Sequence, residues 1–284
     1  MTFDKNLTRR DALKFTTKAT SMGLVGISAP ALLTNAAEAK TYKNISYGGN
    51  RLDIYQPTNI SSPHGAPIMI FVHGGAWKAG SKRSVGAKAK HFTSKGYVFI
   101  SVGYTLYPRA NAERQALEVA QAVNWVQLNA RQLKGDANRI ALMGHSAGCH
   151  LSSLASLSGA TTAVKALICN DTGAYDLPYL ANLNGGSLPF IFSALNKRRN
   201  WRTWSPINYV KNKTQPPSLV IWSGGTMRPK IGNNFANALE ASQNPVTRFD
   251  GSSYNHLSIN SAIGKSGRSV TRAVDRFLEQ NLQA

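Results

Sequence analysis

Short, unbroken apolar runs alternate with helical stretches along residues 44–282, and this alternation limits the folds open to the chain. The runs at 68–72 and 98–102 are apolar at almost every position. Such runs are typical of strands buried on both faces of a parallel sheet. Residues 112–128 instead carry alanines and valines at helical spacing. The pattern predicts an α/β fold with a mostly parallel central sheet and helices on both faces.

The same reasoning places the other elements in a single domain over residues 40–284. Residues 44–47 and 52–55, separated by the turn GGN, predict an opening hairpin. Residues 177–209, which mix Pro and Gly with aromatic and basic residues, predict a small cap-like insertion rather than a core layer. The remaining predicted strands are 140–143, 164–169 and 219–222, and the remaining predicted helices are 147–157, 233–241 and 269–282.

The first 39 residues have the organisation of an export signal. Residues 8–14 (TRRDALK) contain a twin arginine, 22–33 are weakly apolar, and 37–39 (AEA) form a small-x-small cleavage site. The apolar stretch is too short to span a membrane. We therefore expect a twin-arginine signal peptide over 1–39, no integral membrane span, and a periplasmic or secreted mature protein. An uncleaved surface helix and an organellar transit peptide are the alternatives.

The mature chain is strongly basic. Residues 1–39 hold five of the 33 Lys and Arg and three of the 13 Asp and Glu, which leaves 28 against 10 and a formal charge of +18. The cations are scattered, with one local cluster at Lys197, Arg198, Arg199 and Arg202. This distribution favours a generally basic surface over a nucleic-acid groove, so no nucleic-acid partner is expected. A second hypothesis is that Arg198, Arg199 and Arg202 line the entrance to the site and favour anionic substrates; the alternative is a solvated loop.

The two cysteines, Cys149 and Cys169, show neither Cys-x-x-Cys nor metal-ligand spacing. An exported protein permits a disulfide between them. Both lie in segments predicted to be core, which favours two buried thiols.

The pentapeptide GHSAG at 144–148 stands between a predicted strand and a predicted helix. A serine nucleophile on such a turn has a strained backbone and close neighbours, which glycines two positions before and after it accommodate. The turn also directs Ser146 towards the positive end of the following helix, where an oxyanion is stabilised. Ser146 is the candidate nucleophile.

The segment HGGAW at 73–77 directly follows the predicted strand at 68–72. Small residues there allow backbone N–H groups to approach a ligand. The alternative interpretation of the two glycines is a plain turn without a binding role. Gly75 and Ala76, together with Ala147 after the serine, are the candidate oxyanion donors.

Six histidines are present, so position must select a general base. Only His256 follows the serine late in the chain at a strand-to-helix junction, as expected for the order serine, acid, histidine. His73 and His145 lie inside the two turns, and His150 is assigned to packing of the helix after Ser146.

These stretches resemble the α/β-hydrolase family, and within it the esterase branch that includes arylformamidases (kynurenine formamidases) and relatives of hormone-sensitive lipase. The resemblance implies an α/β-hydrolase fold and hydrolysis of a small-molecule ester or amide through an acyl-serine, with no metal or cofactor. We predict a serine carboxylesterase; a formamide hydrolase and a pseudo-hydrolase that only binds are the alternatives. The matching segments are LDIYQP at 52–57, HGGAW at 73–77, SVGYTLYP at 101–108, GHSAGCHL at 144–151, GAYDL at 173–177 and NHLSI at 255–259.

The acid of the triad departs from the family pattern. The resemblance places it after the strand 219–222, where this chain has only SGGT. Asp171 follows the neighbouring strand 164–169 and should emerge at the carboxyl edge of the sheet, where such sites are built. Some lipases of this fold carry their acid there. We predict Asp171 as the acid; the alternatives are Asp250, no acid at all, and Asp176, which is expected to anchor the cap instead.

Overall fold

A computed structural model describes residues 40–60, 62–211 and 214–282. They form an eight-stranded sheet with helices on both faces, which confirms the predicted fold class. The predicted signal peptide at 1–39 lies outside the described residues. The strands are β1 (Thr41–Tyr47), β2 (Asn50–Tyr55), β3 (Ala66–Val72), β4 (Val98–Val102), β5 (Gly135–His145), β6 (Ala166–Asn170), β7 (Ser218–Ser223) and β8 (Val246–Gly251).

The strand order fixes where loops meet. It is β1-β2-β4-β3-β5-β6-β7-β8, with β2 antiparallel to both β1 and β4 and every later neighbour parallel. Parallel strands bring their carboxyl ends to one edge of a sheet, which is where sites of open α/β folds are built. The loops after β3, β5, β6, β7 and β8 therefore share that edge.

Helices cover both faces of the sheet. Helices α2, α3 and α6 pack their apolar residues on one face, and α1, α7 and α8 pack on the other. Strands β4, β6 and β7 between these layers are buried at every residue, which explains their lack of polar alternation. Among the described residues, no helix is both long and apolar enough to cross a membrane. The helices are α1 (Lys88–Ser94), α2 (Ala112–Asn129), α3 (Ala147–Leu157), α4 (Leu177–Leu183), α5 (Trp201–Trp204), α6 (Arg228–Ala241), α7 (His256–Ala262) and α8 (Ser269–Asn281).

The segment predicted as a cap-like insertion lies between β6 and β7. It contains α4, α5 and 3-10 helices at Phe190–Leu195, Arg198–Asn200 and Pro206–Tyr209. The carbonyl of Trp204 accepts a hydrogen bond from His150 of α3 at 2.6 Å, so this segment is anchored on the helix that follows Ser146.

Several elements differ from the sequence-based expectation, and three of the differences have a clear physical reason. β8 is an edge strand paired only with β7 in the sheet order, and its residues are mostly half-buried or exposed, so no continuous apolar run marks it. Helix α7 has only seven residues and is defined mainly by a capping box of Asn255 and Ser258. β5 begins at Gly135 rather than 140, because that residue already pairs with Ala66 of β3.

The prediction of two buried thiols is confirmed. Cys149 and Cys169 are both free and buried. The Cys149 sulfur lies 3.3 Å from the Tyr175 hydroxyl, and the Cys169 sulfur lies 3.4 Å from the Ser153 hydroxyl.

Candidate active site

Ser146 sits on a tight turn between β5 and α3. Its backbone has φ 56° and ψ −121°, a strained conformation for a residue with a side chain. A Cβ built at Gly144 would lie 2.2 Å from the carbonyl oxygen of Gly148, and one built at Gly148 would lie 2.2 Å from the carbonyl oxygen of Val72. Both flanking glycines are therefore required by space, and the second lets α3 start directly against the end of β3.

His256 reaches Ser146 from the start of α7. Its Nε2 lies 3.0 Å from Ser146 Oγ, and its Nδ1 lies 2.7 Å from Asp171 Oδ2. Because an ionised carboxylate only accepts, Nδ1 carries the proton and Nε2 is left as the acceptor for the serine hydroxyl. The Asn255 side chain accepts from the N–H groups of Leu257 and Ser258, which fixes the start of the helix and the place of the ring.

Asp171 follows β6 directly and is 1% exposed. Its backbone has φ 56°, and its N–H donates to the carbonyl of Ile221 at 3.0 Å. Burial alone would raise the pKa of Asp171, but the hydrogen bond from His256 and the charge of Arg228 outweigh burial and lower that pKa to about 2. The carboxylate is therefore ionised across the pH range in which histidine titrates.

Ser223 occupies the strand end at which the family resemblance places the acid. Its hydroxyl donates to Asp171 Oδ2 at 2.7 Å and its N–H lies 3.2 Å from Asp171 Oδ1. Residues Asn170 and Ile221 pair across β6 and β7, so the two strand ends lie side by side. A carboxylate on β6 thus reaches the same place as one on β7, and a hydroxyl on β7 holds it.

The other two candidate acids have different contacts. Asp250 is exposed, and its carboxylate accepts from the N–H of Ser252 at 2.9 Å. Asp176 caps α4 by accepting from the N–H of Tyr179 at 3.0 Å. Of the three carboxylates, the structure brings Asp171 to His256.

The candidate oxyanion loop lies against the serine turn. A Cβ at Gly74 would lie 3.0 Å from the Cβ of Ser146. The backbone then has positive φ at Gly75, Ala76 and Trp77 (130°, 51° and 64°), and a Cβ at Gly75 would lie 2.1 Å from the carbonyl oxygen of Ala79. Ala147 is the first residue of α3, so its N–H has no acceptor within the helix.

A buried histidine ties this loop to α3 and to the insertion. The indole N–H of Trp77 donates to His150 Nδ1 at 3.1 Å, so Nε2 carries the proton that goes to the Trp204 carbonyl. Burial lowers the pKa of His150 to about 4, which keeps the ring neutral. The sequence assigns His150 to helix packing and does not reveal this link, because the three residues are far apart in the chain.

His145 contacts His256, the candidate general base. Its ring lies 4.6 Å from that of His256 between centroids, and its Nε2 is 2.9 Å from the His256 carbonyl oxygen. Burial lowers the pKa of His145 to about 3, so a neutral ring donates this bond. His145, Asp171 and His256 are residue types that bind metals and lie close together. In the described structure each of them is hydrogen-bonded to another protein group at this site.

Comparison with known proteins identifies relatives. A sequence model of the BD-FAE family matches residues 52–228. Esterase LipQ of Mycobacterium tuberculosis is 28% identical over 248 residues, which cover 81% of this chain and 59% of that protein. A kynurenine formamidase of Salmo salar is 35% identical over 119 residues, which cover 41% of this chain and 38% of that protein. A solved structure described as a truncated form of a carbohydrate esterase from gut microbiota superposes with a TM-score of 0.72 at 19% identity, over 88% of this chain and 99% of that chain.

These similarities differ in the share of each relative that they cover and in what they show. The chain spans less than two thirds of the length of either curated relative. The structural likeness, at 19% identity, concerns the fold.

Proposed function

The chain belongs to the BD-FAE family of α/β hydrolases, and we propose that it is a serine carboxylesterase acting through an acyl-serine intermediate. One observation carries the proposal: Ser146, His256 and Asp171, from the loops after β5, β8 and β6, form one continuous chain of hydrogen bonds at 3.0 and 2.7 Å. The family relatives named as esterases support the choice of an ester substrate.

The mechanism follows from the direction of these bonds. Ser146 Oγ attacks the ester carbonyl while its proton passes to His256 Nε2. Asp171 holds the resulting imidazolium in place through Nδ1. The N–H groups of Gly75, Ala76 and Ala147 bind the negative oxygen of the tetrahedral intermediate. The imidazolium then protonates the departing alcohol, and water, activated by the same ring, releases the acid.

The test is hydrolysis of short-chain nitrophenyl esters by the protein and by Ser146→Ala. We expect the variant to lose at least about a thousandfold in kcat/KM, because the nucleophile is gone. Its thermal melt should be nearly unchanged, since alanine keeps the Cβ and the same backbone conformation and the position is half-exposed. Equal turnover by the two proteins would remove Ser146 from the proposal.

A formamide substrate is the second candidate. It is favoured by the relatives from Salmo salar and Danio rerio that are named kynurenine formamidases. Paired kinetics on an N-formyl arylamine and a formate ester of a matched phenol separate the two activities. A higher kcat/KM on the arylamide would replace the esterase proposal by this one.

A pseudo-hydrolase is the third candidate, and the observation that motivated it was the acid-free end of β7. Ser223 there contacts a carboxylate supplied by β6, so this motivation is removed. A fluorophosphonate probe distinguishes an active serine hydrolase from a pseudo-hydrolase, because it labels an activated serine and leaves a protein that only binds unmodified.

We also propose export through the twin-arginine route, with a mature protein that begins near Lys40 and works in a periplasm. The proposal rests on residues 8–14, 22–33 and 37–39. N-terminal sequencing of the protein recovered from a periplasmic fraction tests it, and an intact Met1 there would contradict it.

The basic surface is proposed to have no nucleic-acid partner. Lys197, Arg198, Arg199 and Arg202 are all exposed, and further cations lie throughout the chain. We therefore expect removal of this cluster to change the salt needed for elution from heparin only in proportion to the charge removed. A disproportionate loss of binding would indicate a nucleic-acid site. A variant with charge reversal at Arg198, Arg199 and Arg202 tests whether these arginines select anionic substrates. Its ratio of anionic to neutral ester hydrolysis is compared with that of the wild type.

A further inference from the structure

The carboxylate of Asp171 is held by more than its histidine partner. Oδ2 accepts from His256 Nδ1 and from the Ser223 hydroxyl, each at 2.7 Å. Oδ1 accepts from the Ser223 N–H at 3.2 Å and from Arg228 Nη1 at 3.3 Å. Both oxygens are thus engaged, and the side chain cannot rotate about its last bond without losing several of these partners.

Arg228 also holds the backbone of the same residue. Its Nη1 lies 3.1 Å from the carbonyl oxygen of Asp171, whose φ of 56° is uncommon for a residue with a side chain. One guanidinium nitrogen therefore contacts the carboxylate and the main chain at once. The Arg228 side chain is 25% exposed, so solutes can reach it.

The position of Arg228 at the start of its helix is electrostatically unfavourable. It is the first residue of α6, Pro229 follows it, and the first turn contains no acid. A cation at a helix N-terminus is unfavourable, because that end of the helix is already positive. The contact with Asp171 is the interaction in the described structure that offsets this cost.

We propose that Arg228 and Ser223 are positioning residues that make a carboxylate on β6 serve His256. Ser223 directs Oδ2 towards the imidazole, and Arg228 fixes Oδ1 and the main chain behind it. The inference rests on the proposed function, since it assigns roles within the same site. Neither residue touches the reacting atoms, so both act through the orientation of His256.

The activity test compares kcat and KM on a soluble nitrophenyl ester. Arg228→Met should lower kcat about tenfold or more with KM changed less than about twofold, because the loss affects orientation rather than substrate binding. Arg228→Lys, which keeps the charge but not the planar fork, should retain an intermediate kcat. Ser223→Ala should lower kcat about tenfold. Arg248→Met is the matched control, because Arg248 on β8 pairs with Glu240 of α6, the helix that also carries Arg228, at 2.7 Å. This variant should leave kcat unchanged.

Two readouts separate positioning from mere stability. Guanidinium ion added to Arg228→Met should restore part of kcat, while the same salt should leave Arg248→Met unaffected. In the proton NMR spectrum, the far-downfield resonance of the His256 Nδ1–H bond to Asp171 should be present in the wild-type protein and weakened or lost in Arg228→Met.

The outcomes distinguish this inference from the proposed function. If the wild-type protein is active and both Arg228→Met and Ser223→Ala keep kcat within about twofold of the wild-type value, the positioning roles are overturned. A wild-type protein that neither hydrolyses esters nor labels with a fluorophosphonate would overturn the proposed function instead. The NMR resonance would then still decide the inference, because it does not depend on turnover. If Arg228→Met fails to fold, Arg228→Lys and Ser223→Ala carry the same comparison.

Discussion

Lys88 is a buried cation, and replacing it should change how stability depends on pH. The residue is 1% exposed, its ammonium donates to the Asn260 carbonyl at 2.7 Å, and it lies 5.0 Å from the centroid of the Phe71 ring. It forms no ion pair with a carboxylate within the described part of the chain. Burial, and then the charge of Lys265, lower the pKa of Lys88 from its ordinary value of 10.5 to about 7.

The sign of the effect follows from where the proton binds. The unfolded chain keeps the ordinary pKa, so between about pH 7 and pH 10.5 the unfolded chain binds more protons at Lys88 than the folded one. The free energy of unfolding therefore rises with pH across this window. A difference of about 3.5 between the two pKa values corresponds to about 5 kcal/mol, at 1.36 kcal/mol per pH unit.

Lys88→Met should remove this dependence. Relative to the variant, the wild-type protein should gain about 3 kcal/mol in unfolding free energy between about pH 7 and pH 9.5. The lost bond to the Asn260 carbonyl adds a constant that does not depend on pH. Urea denaturation at both pH values measures the change, with Lys90→Met, at an exposed position of the same helix, as the control. If the difference in unfolding free energy between the wild type and Lys88→Met stayed constant within about 0.5 kcal/mol between the two pH values, burial would not lower the pKa of Lys88.

Three further predictions concern the site. Asp171→Asn should lower kcat/KM by at least about a thousandfold, whereas Asp250→Asn should stay within about tenfold of the wild type; the reverse order would exclude Asp171 as the acid. The lowered pKa of Asp171 adds stability that is present above about pH 4 and is lost as pH falls through about 2, so the difference in unfolding free energy between wild type and Asp171→Asn should shrink over that window. A difference that does not change in acid denaturation curves would contradict this. Gly148→Ala should cost about 3 kcal/mol or more, because its Cβ would lie 2.2 Å from the Val72 carbonyl oxygen, whereas Gly159→Ala, with open space but positive φ, should cost about 1 kcal/mol. Equal melting temperatures for the two glycine variants would show that the close approach is not limiting.

Among the strands, those that are buried along their whole length are the easiest to predict from the sequence. β4 is buried at all five residues, and its predicted range, 98–102, matches the observed strand. The bounds of β8 escape prediction because this edge strand carries polar residues, Thr247 and Asp250, on its exposed positions. Helix α7 escapes because seven residues hold too few apolar positions for a helical period, and its start depends on the side-chain contacts of Asn255.

The site also contains a part that the sequence predicts and a part that it does not. The turn around Ser146 is local, since both flanking glycines are demanded by contacts of that turn and can be read from five residues. The contacts of Asp171 join two neighbouring strand ends, and the sequence can narrow the choice of acid only through strand order. Arg228 contributes from 57 positions away, and the helix predicted over 233–241 does not reach it, so no local pattern indicates its role.

The acyl-serine mechanism is tested most directly by trapping the acyl group on the protein. The protein would be mixed with nitrophenyl acetate, quenched in acid within the first turnover, and mapped by peptide mass spectrometry. We expect one acetyl group on the peptide that contains Ser146, formed together with the initial burst of nitrophenol, and neither signal with Ser146→Ala. Turnover without acetylation of that peptide, or acetylation elsewhere with full activity of Ser146→Ala, would contradict the acyl-serine mechanism.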